Sequence, residues 1–294
     1  MFKGSIVALV TPMTNDGQID YPSLKKLVEF HLSQGTDGIV SVGTTGESAT
    51  LPVEEHMEVV KKTVEYAKGN IPVIAGSGAN STDEAIFLSH SMQNLGVEAF
   101  LTVVPYYNKP QQKGMIAHFR AIADSTHIPN ILYNVPSRTV ADMLPETVAV
   151  LAEHDNIVGL KDATGDMQVL ADLKRLLPDD FCLLSGDDST CLEFMLGGGD
   201  GVISVSANVA PQAVSDICRA ALGGDTELAR SLNDKFAALH SDLFIEPNPV
   251  LPKWCLQRMG LMESAFLRLP LVEAELSNAK HIEDIMKQVG IELS

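Results

Sequence analysis

The chain has 294 residues, a length that fits one large domain or one domain with an appendage. Hydrophobic residues make up 45% and charged residues 20%, too apolar a balance for a disordered chain. The 21 basic and 38 acidic side chains leave a net charge of −17, which argues against sequence-independent nucleic-acid binding and against docking on an anionic membrane. Small anionic substrates stay open, because a few local cations override a diffuse field.

The chain starts MFKGSIVALVTPM. Its apolar run, Ile6 to Val10, is shorter than a signal-peptide core and stops at Thr11-Pro12. No stretch is apolar for long enough to cross a bilayer as a helix. Short β-rich runs then recur: SIVALVTP from Ser5, GIVSVGTT from Gly38, IPVIAG from Ile71 and AFLTVVPYY from Ala99. NILYNVPS from Asn130, NIVGLKDATG from Asn156, DFCLLSGDD from Asp180 and DGVISVSANV from Asp200 continue the series. Each is rich in Val, Ile and Leu and bounded by Gly, Pro or Asn, the pattern of a strand buried on both faces of a parallel sheet.

Helical patterns fill the gaps. In Pro52 to Lys68, the residues Val53, Met57, Val60, Val64 and Ala67 fall on one face, and Glu58 can pair with Lys62 on the other. Pro52 suits a first helical turn, where its missing N–H is not needed. About eight strand–helix units with right-handed crossovers predict a closed (β/α)8 TIM barrel over residues 1–224. An open doubly wound sheet is the alternative. The last strand pattern ends near Ser206, and residues 225–294 carry only helical pattern, which predicts a C-terminal helical appendage.

Barrel chemistry sits at the C-terminal ends of the strands and in the loops after them. Gly43-Thr44-Thr45-Gly46-Glu47 follows the second strand, and Tyr106-Tyr107 the fourth. Tyr133 and Arg138 lie at and after the end of the fifth, Lys161 ends the sixth, and Gly186-Asp187-Asp188 follows the seventh. Gly197-Gly198-Gly199-Asp200 precedes the eighth strand and belongs to the opposite face, which argues against a phosphate-cradling role. The eight histidines show neither HxH nor HExxH spacing, so no metal site is expected. Cys182, Cys191, Cys218 and Cys255 have no CxxC spacing and read as reduced, buried thiols of a cytosolic protein.

A carbon–carbon enzyme without metal needs another electron sink, and an amine nucleophile provides one. Lys161 shares the parity of Gly159 and Ile157 along its strand. If that face points inward, Gly159 leaves room beneath the ammonium. Burial then lowers the amine pKa, and the neutral amine can form a Schiff base with a carbonyl. A strand-end lysine reaching to solvent fits the same pattern.

GTTGES at 43–48, ILYNVPSRT at 131–139, LKDATG at 160–165 and LLSGDD at 183–188 resemble the signature segments of the dihydrodipicolinate synthase family. These are pyruvate-dependent class I aldolases, a superfamily that includes N-acetylneuraminate lyase. The likeness spans essentially the whole chain, with VPYYNKP at 104–110 and FIEPNP at 244–249. GxxGE and the strand-six lysine mark only the superfamily, and Arg138 with the paired tyrosines favours the synthase. One departure is Asp162, where many relatives carry Glu.

The resemblance implies condensation of pyruvate with L-aspartate 4-semialdehyde, the 4-hydroxy-tetrahydrodipicolinate synthase reaction of lysine and diaminopimelate biosynthesis, without metal or organic cofactor. It implies Lys161 as the Schiff-base amine and Tyr133 as the proton carrier, linked through Thr44 to Tyr107. Tyr107 would enter the site of a neighbouring copy in a homotetramer built as a dimer of dimers. Thr45 and the backbone N–H groups of its turn would hold the pyruvate carboxylate. Arg138 would hold the semialdehyde carboxylate, and the backbone carbonyls of Gly186 and Ile203 would border the pyruvate.

The residues matching the family's lysine-inhibition site are Ser48, Ala49, His56, Asn80, Glu84 and Tyr106; position 53, often His in sensitive relatives, is Val53. Bland roles fit many of these residues too. Thr44 and Thr45 can cap a helix, the tyrosines can pack, Arg138 can pair with Asp142, and His56 and Glu84 can be helix-surface residues. Glu47 reads as a carboxylate holding the turn. A Schiff-base lyase of sialic acid or 2-keto-3-deoxy sugar acids, or a non-catalytic metabolite-binding barrel, is the competing function.

Overall fold

Regular elements in the computed structural model, which describes residues 2–294, alternate along the chain. They begin with β1 (Gly4–Ala8), α1 (Tyr21–Ser33), β2 (Gly38–Ser41), α2 (Val53–Ala67), β3 (Val73–Gly76), α3 (Thr82–Met92), β4 (Ala99–Val103) and α4 (Gln112–Asp124). Next come β5 (Asn130–Asn134), the short α5 (Pro136–Thr139), α6 (Pro145–Leu151), β6 (Ile157–Asp162), α7 (Met167–Leu176), β7 (Cys182–Ser185), α8 (Cys191–Leu196), β8 (Gly201–Ser204) and α9 (Pro211–Leu222). Each strand pairs in parallel with the next, and β8 closes on β1 through Ser5↔Val202 and Ile6↔Ile203. This is the (β/α)8 barrel that the strand runs predict. Seven strands fall within the predicted segments, β1 starts at Gly4, one residue before its run, and β8 ends at Ser204, two residues before the expected limit.

Side chains from alternate strand positions fill the barrel, with Ile6, Val40, Ile74, Leu101, Ile131, Leu184 and Ile203 in one buried cluster. The opposite faces of the strands pack under the helices, as with Leu132, Leu160 and Leu183 beneath Phe119, Val148 and Leu173. A core filled this way leaves only the strand ends free for chemistry.

Two local expectations change. In α2 the buried stripe is His56, Val59, Val60, Thr63 and Ala67, while Val53, Met57 and Val64 are half-buried. The stripe is rotated because its polar members find partners. His56 Nε2 donates to Gly76 O at 2.8 Å, and Thr63 Oγ1 meets Ser41 Oγ at 3.0 Å. Pro52 stands one residue outside the helix, as its N-cap. In β6, Asn130 pairs with Ile157 but Ile131 with Gly159, so Val158 is an extra residue. That bulge breaks the expected parity: Ile157 packs outward beside Leu160.

Beyond α9 lie α10 (Thr226–Asp242), α11 (Val250–Arg258) and α12 (Leu276–Gln288). They bury Leu239, Leu243, Leu251, Cys255, Ile282 and Met286 against Val209 and Ala210. Polar contacts tie this part to the turn after β2. Lys253 Nζ reaches Glu47 Oε1 at 2.6 Å, with 0% and 1% of the two side chains exposed, and Arg268 N donates to Glu47 Oε2 at 3.1 Å. Glu47 holds the turn, as its sequence setting predicts. Among the described residues no helix is long and apolar enough to cross a membrane. The four cysteines are free and buried. Burial pushes their thiols up, that of Cys182 to about 12, which leaves little nucleophilic thiolate.

Candidate active site

The C-terminal ends of the strands enclose a cavity of about 190 Å3 lined by Thr44, Thr45, Tyr133, Arg138, Lys161 and Gly186, among others. Lys161 projects into it from β6 and is only 6% exposed. On the neighbouring strand Tyr133 is its register partner, and the amine lies 4.3 Å from the Tyr133 ring centroid. Burial takes the amine away from water and lowers its pKa to about 7. The Asp188 carboxylate opposes that fall, and the Arg138 guanidinium adds to it. Asp188 is held in place by Ser204 Oγ and by the backbone N–H groups of Val205 and Ser206 at the end of β8.

Room for the lysine comes from Gly186. A Cβ there would lie 2.8 Å from Lys161 Cε and 2.8 Å from Ala163 Cβ. Gly159, the expected source of that room, instead meets the neighbouring strand: its added Cβ would stand 2.7 Å from Cys182 O. The space beside the amine is therefore cleared by the first residue after β7, the strand paired with β6, and not from beneath on β6.

Tyr133 is buried, which raises its phenol pKa, while Arg138 and a hydrogen bond with Thr44 pull the other way. The phenol stays protonated at neutral pH and can donate a proton beside the amine. Arg138 sits on the short α5, exposed, and among the described residues it pairs with no carboxylate. Asp142, its alternative partner, accepts instead from Asn134 Nδ2 at 2.8 Å. Neither Thr44 nor Thr45 caps α2, whose N-cap is Pro52. The Asp162 carboxylate accepts from Thr164, and its carbonyl receives Gly186 N at 2.6 Å, so Asp in place of Glu is absorbed by the turn after β6.

A buried amine that readily sheds its proton, a phenol beside it and an unpaired guanidinium at the rim suit covalent capture of a keto acid. The family model described as the dihydrodipicolinate synthetase family matches residues 1–289. The chain belongs to this family. It is 63% identical to the 4-hydroxy-tetrahydrodipicolinate synthase of Pseudoalteromonas atlantica, over 99% of each chain. It superposes on the chloride-inhibited dihydrodipicolinate synthase of Acinetobacter baumannii, solved with pyruvate, with a TM-score of 0.97 and 49% identity, covering 99% of this chain and 100% of that one. It is also similar to the lysine-bound enzyme of Cyanidioschyzon merolae, with a TM-score of 0.96 and 38% identity over 99% of both chains.

Not every residue implied by the family resemblance meets at the cavity. Ile203 does not line it; its side chain packs inside the barrel with Ile6 and Leu184. Tyr107 is 90% exposed with φ at 73° and does not line this chain's own cavity. A second cavity of about 380 Å3 adjoins the first and shares Thr44 and Arg138 with it. Ser48, Ala49, His56, Glu84 and Tyr106 line this second space, and so does Val53. Asn80 does not line it, and its Nδ2 donates to Tyr106 O at 3.2 Å. Burial and the nearby Glu84 charge raise the Tyr106 phenol pKa. His56 is held neutral by burial, which outweighs its bond to Gly76.

Sequence reasoning missed Asn248. It lines the first cavity and bonds to Thr45, 203 positions away in the chain. The FIEPNP segment was visible as a family feature, but no periodicity or spacing signals which of its residues turns toward the barrel.

Proposed function

We infer that the chain condenses pyruvate with L-aspartate 4-semialdehyde, as a 4-hydroxy-tetrahydrodipicolinate synthase does, and is a lyase of lysine and diaminopimelate biosynthesis. The observation that carries this is the Lys161 amine, buried, lowered to about 7 and 4.3 Å from the Tyr133 ring. The neutral amine attacks the keto carbon of pyruvate, and the carbinolamine loses water to give the imine. Loss of a methyl proton makes the enamine, whose carbon attacks the aldehyde carbon and forms the new C–C bond. The semialdehyde's own amine then attacks the imine carbon, expels the Lys161 amine and closes the ring. No metal or organic cofactor enters these steps.

Tyr133, with Thr44, moves protons at the dehydration and enamine steps, a service worth roughly 10²–10⁴-fold. Thr45 and the N–H groups of its turn hold the pyruvate carboxylate, and Gly186 borders the bound keto acid. The Arg138 fork takes the semialdehyde carboxylate through two parallel hydrogen bonds. The exposure of Tyr107 supports its use by a second copy, completing the proton path there within a homotetramer. Residues 1–224 carry the chemistry, and residues 225–294 brace the turn that binds the keto acid. Four buried free thiols fit the cytoplasm.

Borohydride added with pyruvate should attach a reduced pyruvyl group to Lys161, and turnover should require the semialdehyde and not N-acetylneuraminate. A peptide map without that adduct at saturating pyruvate overturns the assignment. The second cavity is proposed as a site for free lysine, with Glu84 facing the ammonium group. Glu84→Gln should weaken inhibition by L-lysine while leaving turnover intact. A flat lysine titration with no calorimetric binding removes this part of the reading.

A further inference from the structure

Asn248 is 7% exposed, and its Nδ2 donates to Thr45 Oγ1 at 2.9 Å. Both side chains line the cavity that holds Lys161. A hydroxyl has one hydrogen and two lone pairs. The amide occupies a lone pair, so the hydrogen must go elsewhere. Among the described residues Asn248 is the sole hydrogen-bond partner of that oxygen, which leaves the hydrogen free for an acceptor inside the cavity. The Asn248 oxygen is itself buried with no partner. An alanine or leucine there would avoid that cost, so the donor end must offset it.

We propose that Asn248 is a positioning residue for keto-acid binding: it turns the Thr45 hydroxyl hydrogen into the cavity, where it donates to the substrate carboxylate. The inference deepens the pyruvate reading above and rests on it. A buried ion pair ties the two segments that carry the pair to each other. Glu47, two residues after Thr45, is locked to Lys253, five after Asn248, by the fully buried ion pair at 2.6 Å. The C-terminal part thus reaches across the barrel mouth and sets one hydrogen atom.

The test measures the pyruvate concentration that half-saturates the borohydride-trapped Lys161 adduct, together with KM and kcat. It uses the wild type, Asn248→Ala, Asn248→Asp, Thr45→Val and the double variant Thr45→Val/Asn248→Ala. Asn248→Ala should raise the half-saturating pyruvate about tenfold, the worth of one well-placed hydrogen bond, with kcat within about twofold. In the Thr45→Val background the same change should add less than about twofold, because the hydroxyl it acts through is gone. Asn248→Asp, nearly isosteric, should accept the Thr45 hydrogen and turn it away from the substrate. Its defect relative to wild type should shrink as pH falls and the new carboxyl gains a proton able to donate.

Equal effects of Asn248→Ala in the two backgrounds, an unchanged half-saturation, or an Asn248→Asp defect that ignores pH each overturn the proposal. If Asn248→Ala fails to fold, the Asn248→Asp profile decides alone. A wild type that forms no adduct brings down the pyruvate reading and this inference with it. An adduct with additive effects brings down only the role of Asn248.

Discussion

Replacing Lys161 with Met should make the protein more stable while abolishing adduct formation. The folded chain holds this amine at about 7 against an ordinary 10.5. At about 1.4 kcal/mol per pKa unit, that gap corresponds to about 5 kcal/mol of penalty for the charged form. At pH 7 the unfolded chain is almost wholly protonated and the folded amine about half, which leaves about 4 kcal/mol of the penalty in force. The sign follows from proton counts. Between pH 7 and 10.5 the unfolded chain keeps a proton the folded chain has released, so this group makes stability rise with pH across that window and costs its full amount below it. Met is similar in length, apolar and uncharged, so it removes the penalty with little change in packing. Urea unfolding of both proteins, at one concentration and several pH values, should show Lys161→Met more stable by about 2–4 kcal/mol at pH 7. The difference should narrow toward pH 10. Other groups titrating there cancel between the two proteins. A variant no more stable at pH 7, or a difference that does not change with pH, refutes the reasoning.

The initial rate of adduct formation by the wild type should rise with pH through a midpoint near 7 and then level off. A midpoint above about 9, near that of an ordinary lysine, would mean the amine is not desolvated. Gly186→Ala should lower kcat/KM for pyruvate on the order of 10²-fold, since its Cβ would press on Lys161 Cε from 2.8 Å and displace the amine. Full activity in that variant would show the lysine to be freely mobile. Lys253→Met strands a buried carboxylate at Glu47, so urea unfolding should report a loss of about 3–5 kcal/mol. A loss below about 1 kcal/mol would mean that Glu47 finds water once the pair is broken.

The sequence by itself determined the strand runs and their number, and with them the barrel. A strand buried on both faces must be apolar throughout, and that signal is local. It also determined which residues stand at strand ends, so Lys161, Tyr133, Thr44, Thr45 and Arg138 were legible from chain position and family likeness together. Local pattern carried no record of what lies across the barrel. Gly186 clears the space beside Lys161, a task the sequence assigned to Gly159, because a neighbouring strand and not the lysine's own decides which atoms meet it. The Val158 bulge undid the expected parity within β6, since alternation holds only while the ladder stays in register. The stripe buried by α2 shifted because His56 and Thr63 found partners on β3 and β2 that hydrophobicity alone does not reveal. Tertiary structure alone joined Asn248 to Thr45 and Lys253 to Glu47. Those bonds form between residues more than 200 positions apart, as their separations of 203 and 206 show, and only closure of the chain brings them within reach.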